Sequence, residues 1–365
     1  MTFGSVRKKV IRRLSSSLRM SHLCPYLEET VTKPPSTSSG KKETWNHTAP
    51  VVFSPLFAWP PNPKDAILAL TKRWVTVSRN VLFLVMAFLV FQYLVPDEGV
   101  MRTLSIGWVG FIFLRNYVFM LIIAGGLHLY LFTYRLQGHR LKYDPREQLD
   151  KGGKYSFRNQ FWDNVFWSLA SGTTIWSIYE VLYFWGAANG VIPTLSLISD
   201  HPILFVAWLL ALPVLTSSHF YFIHRLLHWP ALYRRVHSVH HRNIQVGPWS
   251  GMSMHPVEHI FYISSVLLHF IIASHPVILL LHLYSRCLGP AFSHAGFEKL
   301  QVGDTTVVDA ADFHHQLHHR YFECNYGTLD APWDQWFNTD HDGSDQATNR
   351  IRKRRLNKHR PSGNE

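Results

Sequence analysis

Histidine is the residue type whose spacing in this sequence most strongly suggests chemistry. The chain of 365 residues contains 23 histidines. Eight of them form three groups, which are His224 and His228; His237, His240 and His241; and His315, His318 and His319. On an α-helix, residues three and four positions apart lie on the same face. Each group can therefore direct its imidazoles into one shared space.

Eight imidazoles exceed the three or four protein ligands of a zinc site, so we expect two metal ions. Imidazole binds zinc, copper, iron and nickel, and the spacing alone does not name the metal. Eleven other histidines are expected to be exposed, as for His22, His47, His341 and His359, or structural, as for His128, His139, His201, His219, His269, His275 and His282. His314 lies outside the spacing of its group and is not counted as a ligand.

Composition and charge place this chain near a membrane. It is 47% hydrophobic and 16% charged, whereas soluble domains carry about 25% charged residues. The net charge of +12 comes entirely from residues 1–20 and 350–360, so we expect the folded surface to lack the basic groove that nucleic-acid binding requires. Basic ends that flank apolar segments are typical of the cytosolic side of a membrane.

The chain divides into four regions by composition. Residues 1–64 are predicted to be a disordered basic leader, with an organelle transit peptide as the alternative. Residues 65–200 are predicted to be membrane helices, 201–340 the histidine-rich domain, and 341–365 a disordered basic tail. Three cysteines are too few for a disulfide framework.

Four apolar segments precede His224, namely 81–95 extended back to Trp74, 104–134, 161–188 and 203–223. The last of these would be roughly 31 Å long as a helix, which matches the hydrocarbon thickness. The segment 161–188 carries Asp163 and Glu180, so it is either a poorer span or an interfacial helix. If it is only interfacial, the number of crossings no longer places the histidines on the cytosolic side.

A fifth apolar stretch, 256–290, is interrupted by Ser274-His275-Pro276. Proline there breaks the hydrogen-bond ladder, so we expect two shorter helices that enter the membrane and return, with a buried helical pair in a soluble domain as the alternative. Such a hairpin returns His294 and the third group to the side of the first two. We therefore predict an all-α, integral membrane helical bundle with about four spans, a membrane hairpin and a cytosolic histidine-rich cap.

The three groups resemble the histidine boxes of the fatty acid hydroxylase/sterol desaturase superfamily of membrane non-haem diiron enzymes. The stretches Met254-His255-Pro256-Val257-Glu258, Ser293-His294-Ala295-Gly296 and His318-His319-Arg320-Tyr321-Phe322, followed by Asn325-Tyr326-Gly327 and Trp333-Asp334, resemble most the sterol C-5 desaturase (lathosterol oxidase) branch. The resemblance covers roughly residues 200–340. Two positions depart from the family pattern, Pro290 in place of a histidine of some hydroxylases and Asn338 in place of a glycine.

The resemblance implies ten metal ligands, which are His224, His228, His237, His240, His241, His255, His294, His315, His318 and His319. A ligating histidine commonly donates its second ring N–H to an acceptor. Asp312, Glu258 and Asp334 lie close to these ligands in the sequence and are candidates for that role, although each could be an ordinary surface acid.

The resemblance further implies two iron ions, O2 as co-substrate, and electrons from NAD(P)H delivered through an external donor such as cytochrome b5 and its reductase. No Gly-x-Gly-x-x-Gly motif follows a strand, which agrees with an external donor. The basic segment 350–360 could attract an acidic donor. The implied substrate is a sterol that enters from the bilayer, the expected location is the endoplasmic reticulum membrane, and we expect 161–188 to line part of the pocket.

Two other functions remain open at this level. A lipid hydroxylase on the same scaffold could act on a fatty-acyl, sphingolipid or alkyl-glycerol chain, because the same oxidant yields an alcohol or an alkene. A non-enzymatic membrane metal-binding protein is the third reading. A metal carrier should place histidines along the middle of its spans, whereas these groups lie beyond the span ends.

Overall fold

The computed structural model describes residues 51, 53–75, 78–149, 152–195, 197–309 and 312–358. Most of the predicted leader 1–64 and the end of the predicted tail lie outside these residues. The main helices are α1 (Pro63–Val75), α2 (Arg79–Tyr93), α3 (Ile106–Thr133), α4 (Gln160–Trp167), α5 (Thr174–Ala188), α6 (Pro202–Leu227), α7 (Pro256–Ile263), α8 (Pro276–Cys287), α9 (Phe313–Tyr321) and α10 (Asp345–Lys358).

Shorter elements join these helices. A π-helical turn, Ser168–Thr173, connects α4 to α5, so the two form one continuous helical segment. Further short helical segments are Pro55–Phe57, Glu98–Met101, Pro230–Leu232, Tyr233–His237, Ser238–His241, Pro248–Met252, Ser264–Leu267, Leu268–Ile271, Gly289–Ser293 and Trp333–Trp336. The predicted helical membrane-protein fold is confirmed.

The number of predicted spans is too high for the described residues. Two helices are long and apolar enough to cross a membrane, α3 with 28 residues and α6 with 26. The pair formed by Pro63–Trp74 and α2, bent by 47°, would count as a third if it is one span. The segment α4–α5 does not reach the same apolar character, and both of its acids are buried in protein.

Glu180 on α5 forms a buried ion pair with Arg115 on α3. The amide of Asn116 donates to the second oxygen of Glu180 at 2.9 Å. Burying a charge is costly unless it is paired and hydrogen-bonded. These contacts satisfy the carboxylate and fix α5 against the long apolar helix.

The predicted break in the apolar stretch 256–290 is present. One arm runs through α7 to Ile271, and the second arm, α8, begins at Pro276. His275 caps α8 by accepting the Val277 backbone N–H. Residues 277–281 are all 1% exposed or less, and α8 packs against α2. The second arm, α8, is therefore enclosed by protein. This agrees with the alternative prediction, a buried helical pair.

The described residues contain one small exception to the all-helical prediction. Lys299–Val302 and Thr305–Asp309 form an antiparallel pair, β1 and β2, joined through Gly303 with φ +62°. β2 includes two threonines and two valines in succession, and β-branched residues favour strands. This hairpin leads the chain from His294 to the third histidine group.

The prediction of a disordered tail from 341 onward is wrong as far as residue 358. Residues 345–358 form α10, with Ala347, Thr348 and Ile351 buried at helical spacing. His341, which we expected to be exposed, is fully buried, and its ring stacks on Tyr321 at 4.6 Å. An apolar stripe of only a few residues anchors this strongly basic helix, which explains why composition suggested disorder.

Candidate metal centre

The histidine groups are delivered by helix ends and short turns. His224 lies in the last turn of α6, and His228 is its C-terminal cap. The second group lies on the consecutive segments Tyr233–His237 and Ser238–His241, and the third on α9. His294 follows the short helix Gly289–Ser293. Elements far apart in sequence therefore meet at one end of the long helix α6.

Nine histidines converge into two clusters. Cluster A contains His224, His228, His237, His241 and His318, and cluster B contains His240, His294, His315 and His319. Within each cluster the candidate ligand nitrogens all lie within 4.8 Å of one another. Eight of the nine are buried and His228 is half-buried. All eight residues of the three groups are thus brought together, and His294 joins them.

The rings meet through their Nε2 atoms. In cluster A the Nε2 of His241 lies 3.0 Å from that of His237, 3.2 Å from that of His228 and 3.0 Å from that of His318. In cluster B the Nε2 of His319 lies 3.1 Å from that of His294 and 3.2 Å from that of His315. This common orientation places one kind of nitrogen at each centre.

The Nδ1 atoms face outward to fixed acceptors. Three of them donate to backbone carbonyls. His224 Nδ1 donates to the Tyr326 carbonyl at 2.7 Å, and His318 Nδ1 donates to the Cys324 carbonyl at 2.6 Å. His294 Nδ1 donates to the Pro290 carbonyl at 3.1 Å. His237 Nδ1 faces Glu258 Oε1 at 2.7 Å, and His240 Nδ1 faces the Ser253 carbonyl at 3.4 Å. A carbonyl can only accept, so the four rings that face carbonyls carry their proton on Nδ1.

This tautomer decides what each centre can hold. An imidazole protonated on Nδ1 presents a lone pair at Nε2. Within each cluster, therefore, several Nε2 lone pairs face one another across the Nε2–Nε2 distances of 3.0 to 3.2 Å. That arrangement is repulsive unless a cation lies between them. Imidazole binds metal at about 2.0–2.1 Å, and two such ligands at 90–110° would be separated by about 3 Å. The donor set therefore fits one metal ion in each cluster.

Burial keeps the rings neutral. It lowers the pKa of His237, His241 and His318 in cluster A, and neighbouring imidazoles lower it further. In cluster B, burial lowers the pKa of His240 to about 4. Metal ligation requires the neutral imidazole, so these rings do not have to lose a proton at physiological pH before they bind.

The two clusters are adjacent. The ring centroids of His241 and His319 are 5.1 Å apart, and those of His224 and His315 are 5.9 Å apart. His240 and His241 are neighbours in sequence but contribute to different clusters. The second group therefore joins the clusters, and the arrangement could hold two metal ions side by side.

The structure does not bring His255, the tenth predicted ligand, into either cluster. Its Nδ1 accepts the backbone N–H of Val257 at 3.2 Å and thereby caps α7. Its ring lies 6.3 Å from that of Trp167. Proline follows it, so the His-Pro pair starts a helix rather than supplying a ligand.

The three acidic candidates have different roles. Glu258 Oε1 lies 2.7 Å from His237 Nδ1, within hydrogen-bond distance. Asp312 instead caps α9 by accepting the His315 backbone N–H at 3.0 Å. Asp334 accepts the backbone N–H groups of Tyr326 and Gly327 at 2.9 and 2.7 Å. Asp334 thus fixes the turn that contains Tyr326, whose carbonyl accepts the hydrogen bond from His224 Nδ1.

Sequence reasoning missed the backbone carbonyls that hold the rings. The carbonyls of Cys324 and Tyr326 lie in the turn after α9, where Phe322 and Asn325 have φ of +66° and +53°. The Asn325 amide donates to the carbonyls of His314 and His341 at 2.8 and 2.9 Å. The Asn-Tyr-Gly stretch was the visible signal, but no pattern reveals which carbonyl faces a ring.

A cavity of about 900 Å³ reaches both clusters. Its walls include His224 and His237 of cluster A and His240, His294 and His315 of cluster B. Other lining residues come from α1, α2, α6 and the two arms of the hairpin. The prediction that 161–188 lines the pocket is wrong, because no residue of that segment borders this cavity.

Comparison with known proteins supports the site region. Residues 208–339 match the family model described as fatty acid hydroxylase. The expected resemblance to the fatty acid hydroxylase/sterol desaturase superfamily is confirmed, and its extent agrees with the residues 200–340 inferred above.

Similar curated proteins include Delta(7)-sterol 5(6)-desaturases of three fungi. The chain is 31% identical to that of Saccharomyces cerevisiae over 33% of this chain and 32% of that protein. It is 32% identical to that of Candida dubliniensis over 34% of this chain and 31% of that protein. The match to a form from Aspergillus fumigatus is 25% identical over 68% of this chain and 83% of that protein. The chain thus spans about a third of the length of the first two relatives. No solved structure matches the chain significantly.

Proposed function

We propose that this protein is a membrane-bound diiron oxidoreductase that introduces the C-5 double bond into a sterol, using O2 and two external electrons. The observation that carries the proposal is the convergence of nine neutral imidazoles into two adjacent clusters bordered by one cavity. The fungal relatives, named as sterol desaturases, support the substrate class.

Cluster A would hold one iron ion and cluster B the other. Bound iron would supply the activation of O2 that side-chain acids and bases cannot provide. Overall, two hydrogens leave the sterol and one O2 becomes two waters, with two electrons and two protons supplied from outside. Imidazoles rather than carboxylates would distinguish this centre from the glutamate-rich diiron bundles.

The chain's own residues position the reaction. The outward hydrogen bonds of His224, His237 and His318 fix both the tautomer and the ring orientation. Burial excludes bulk water from the imidazoles, and the adjoining cavity brings a substrate carbon to them. The carbon that faces the centre would decide which bond is oxidised.

An external donor would supply the electrons, and cytochrome b5 reduced from NAD(P)H is our proposal. The basic helix α10 is its candidate contact, with Arg352, Lys353 and Arg355 exposed. Burial raises the pKa of Tyr233, and the nearby Arg355 opposes this rise. The Tyr233 ring lies 5.4 Å from that of His228 in cluster A. These relations support a positively charged donor-binding surface near the half-buried edge of the centre.

We place the protein in the endoplasmic reticulum membrane with the centre facing the cytosol. The helices α3 and α6 support membrane insertion, and the basic residues of α10 agree with the excess of positive charge on the cytosolic side. A tagged α10 should be accessible to protease in intact microsomes. Protection of the tag would contradict this orientation.

A lipid hydroxylase is the second candidate, favoured by the description of the matching family model. The same centre could insert oxygen instead of removing a second hydrogen. A metal carrier is disfavoured, because the nine histidines gather at one end of α6 rather than along a span.

The deciding experiment expresses the chain in cells that lack sterol C-5 desaturation. We expect Δ5,7-sterols to reappear with the unmodified chain and with His255→Ala, and to stay absent with His240→Ala. Bound iron near two ions per chain should accompany the activity. Equal expression without new sterol, together with a hydroxylated acyl chain, would replace the desaturase proposal by the hydroxylase.

A further inference from the structure

Arg286 is a cation buried in the wall of the cavity. It lies in the last turn of α8 and is 7% exposed. The cavity that reaches the histidine clusters is lined by Arg286 together with Phe220 and Tyr262. Its position is therefore between the protein interior and the space that the substrate would fill.

Aromatic rings and one carbonyl surround the guanidinium. Its central carbon lies 3.8 Å from the ring centroid of Tyr262 and 5.2 Å from that of Phe220. Nη2 donates to the Tyr262 carbonyl at 3.0 Å, and the Tyr262 hydroxyl donates to the Arg286 carbonyl at 2.9 Å. These contacts hold the side chain in one orientation.

The hydrogen-bonding capacity of the guanidinium is far from satisfied. Nε is buried without a partner. Among the residues that the structure describes, no carboxylate forms an ion pair with Arg286. A guanidinium has five N–H donors, and buried charges are normally paired. Nε is enclosed by protein, whereas Nη1 makes no hydrogen bond within the described residues and is not enclosed, so Nη1 is the donor that can meet an acceptor in the cavity that Arg286 borders.

The other two arginines that line the cavity each have an acceptor or lie closer to the surface. Arg73 is paired with Asp330 at 2.8 Å. Arg79 donates to the Gly289 carbonyl at 3.4 Å and is half-buried. Arg286 is thus the deeply buried cation of this wall that lacks an acidic partner among the described residues.

One aromatic ring separates Arg286 from the metal centre. Phe220 contacts the guanidinium on one side, and its centroid lies 4.8 Å from the ring of His224 and 5.9 Å from that of His315. His224 belongs to cluster A and His315 to cluster B. A group bound by Arg286 would therefore lie close to both clusters.

We propose that Arg286 binds an oxygen of the lipid substrate, and that the fixed spacing from Arg286 to the histidine clusters selects a carbon a few bonds from that oxygen. The ligand class is a lipid with a hydroxyl near its site of oxidation, and Arg286 is a positioning residue. This inference rests on the proposed function, for which the oxygen is the sterol hydroxyl.

Equilibrium binding to the purified full-length protein in detergent tests the inference. The probes are a radiolabelled Δ7-sterol with a free 3-hydroxyl and its 3-deoxy analogue. A hydrogen bond to a charged group contributes roughly 1.5–3 kcal/mol, so the unmodified protein should prefer the hydroxylated sterol by roughly ten- to hundredfold. Arg286→Leu should abolish this preference, Arg286→Lys should restore part of it, and the control Arg102→Leu, at an exposed arginine outside the cavity, should keep it.

The outcomes separate this inference from the proposed function. Equal affinity of the unmodified protein for both sterols, or an unchanged preference in Arg286→Leu, overturns the role of Arg286 while leaving sterol binding in place. Absence of any sterol binding overturns the sterol proposal. A long-chain alcohol and its matching alkane then decide the role of Arg286, and failure to prefer the alcohol overturns it.

Discussion

The imidazole Nδ1 of His237 lies 2.7 Å from the Glu258 carboxylate, although 21 residues separate them in the chain. Both side chains are almost completely buried. This contact ties the second histidine group to the first helix of the hairpin, so the geometry of cluster A depends on the position of α7. A carboxylate in this place orients the ring and raises its basicity as a ligand.

Burial raises the pKa of Glu258. Glu258→Gln should keep an acceptor for His237 but remove the carboxyl group. We expect iron affinity to fall about 10–100-fold, the usual effect of losing such a partner of a ligating histidine. Iron retained against a graded chelator series measures this change. Glu98→Gln, at an exposed surface acid, is the control. Iron retention equal to that of the control would show that the carboxyl group of Glu258 has no part in the centre.

His294→Ala and His255→Ala should differ sharply. His294 is a member of cluster B, whereas His255 caps α7. We expect His294→Ala to lose one of two bound iron ions and all product formation. His255→Ala should keep both ions and lose only about 1 kcal/mol of stability, as for an N-cap. Metal analysis with a thermal melt tests both, and a loss of iron in His255→Ala would make it a ligand.

Gly251 should tolerate no side chain. A Cβ there would lie 2.3 Å from the Pro290 carbonyl oxygen, the atom that accepts the His294 Nδ1 proton at 3.1 Å. Gly251→Ala must therefore displace either Pro290 or the segment Pro248–Met252. We expect weaker iron binding in cluster B and a lower melting temperature.

The control for Gly251→Ala is Gly110→Ala, where a Cβ meets nothing within 4 Å. Alanine in a helix is favoured over glycine by about 1 kcal/mol, so Gly110→Ala should leave iron content unchanged. Equal iron content in the two variants would show that Pro290 can move without loss of the centre.

Charge on α10 should govern the rate of electron delivery. Deleting residues 350–365 would remove the buried Ile351, so we choose Arg352, Lys353 and Arg355, which are exposed. Replacing all three by glutamine should slow oxidation of reduced cytochrome b5 several-fold at low salt and weaken its salt dependence. Lys64→Gln, also exposed, is the control. Unchanged rates would remove α10 as the contact.

The sequence alone indicated which imidazoles form the candidate metal centre. Eight of the nine clustered histidines follow from helical spacing, because residues three and four apart share a face whatever the surroundings. The break before Pro276 was also predictable, since proline removes a backbone donor. His294 and Glu258 were found through motif resemblance and proximity in sequence.

Tertiary structure decided which ligand joins which cluster. His240 and His241 are adjacent in the chain yet serve different centres, because successive residues on a helix point about 100° apart and each meets a different partner. His255 was excluded for a similar reason, since its backbone environment made it a helix cap. The roles of Asp312 and Asp334 likewise depend on nearby N–H groups rather than on residue type.

The cavity and the membrane helices also show which features follow from the sequence and which depend on packing. Hydropathy indicated apolar segments, but it could not distinguish a helix facing lipid from α8, which is enclosed by protein. Packing alone brings Arg115 to Glu180, and packing alone leaves Arg286 without an acidic partner among the described residues. Local spacing fixes which side chains share a helix face, whereas distant contacts depend on the arrangement of the whole bundle.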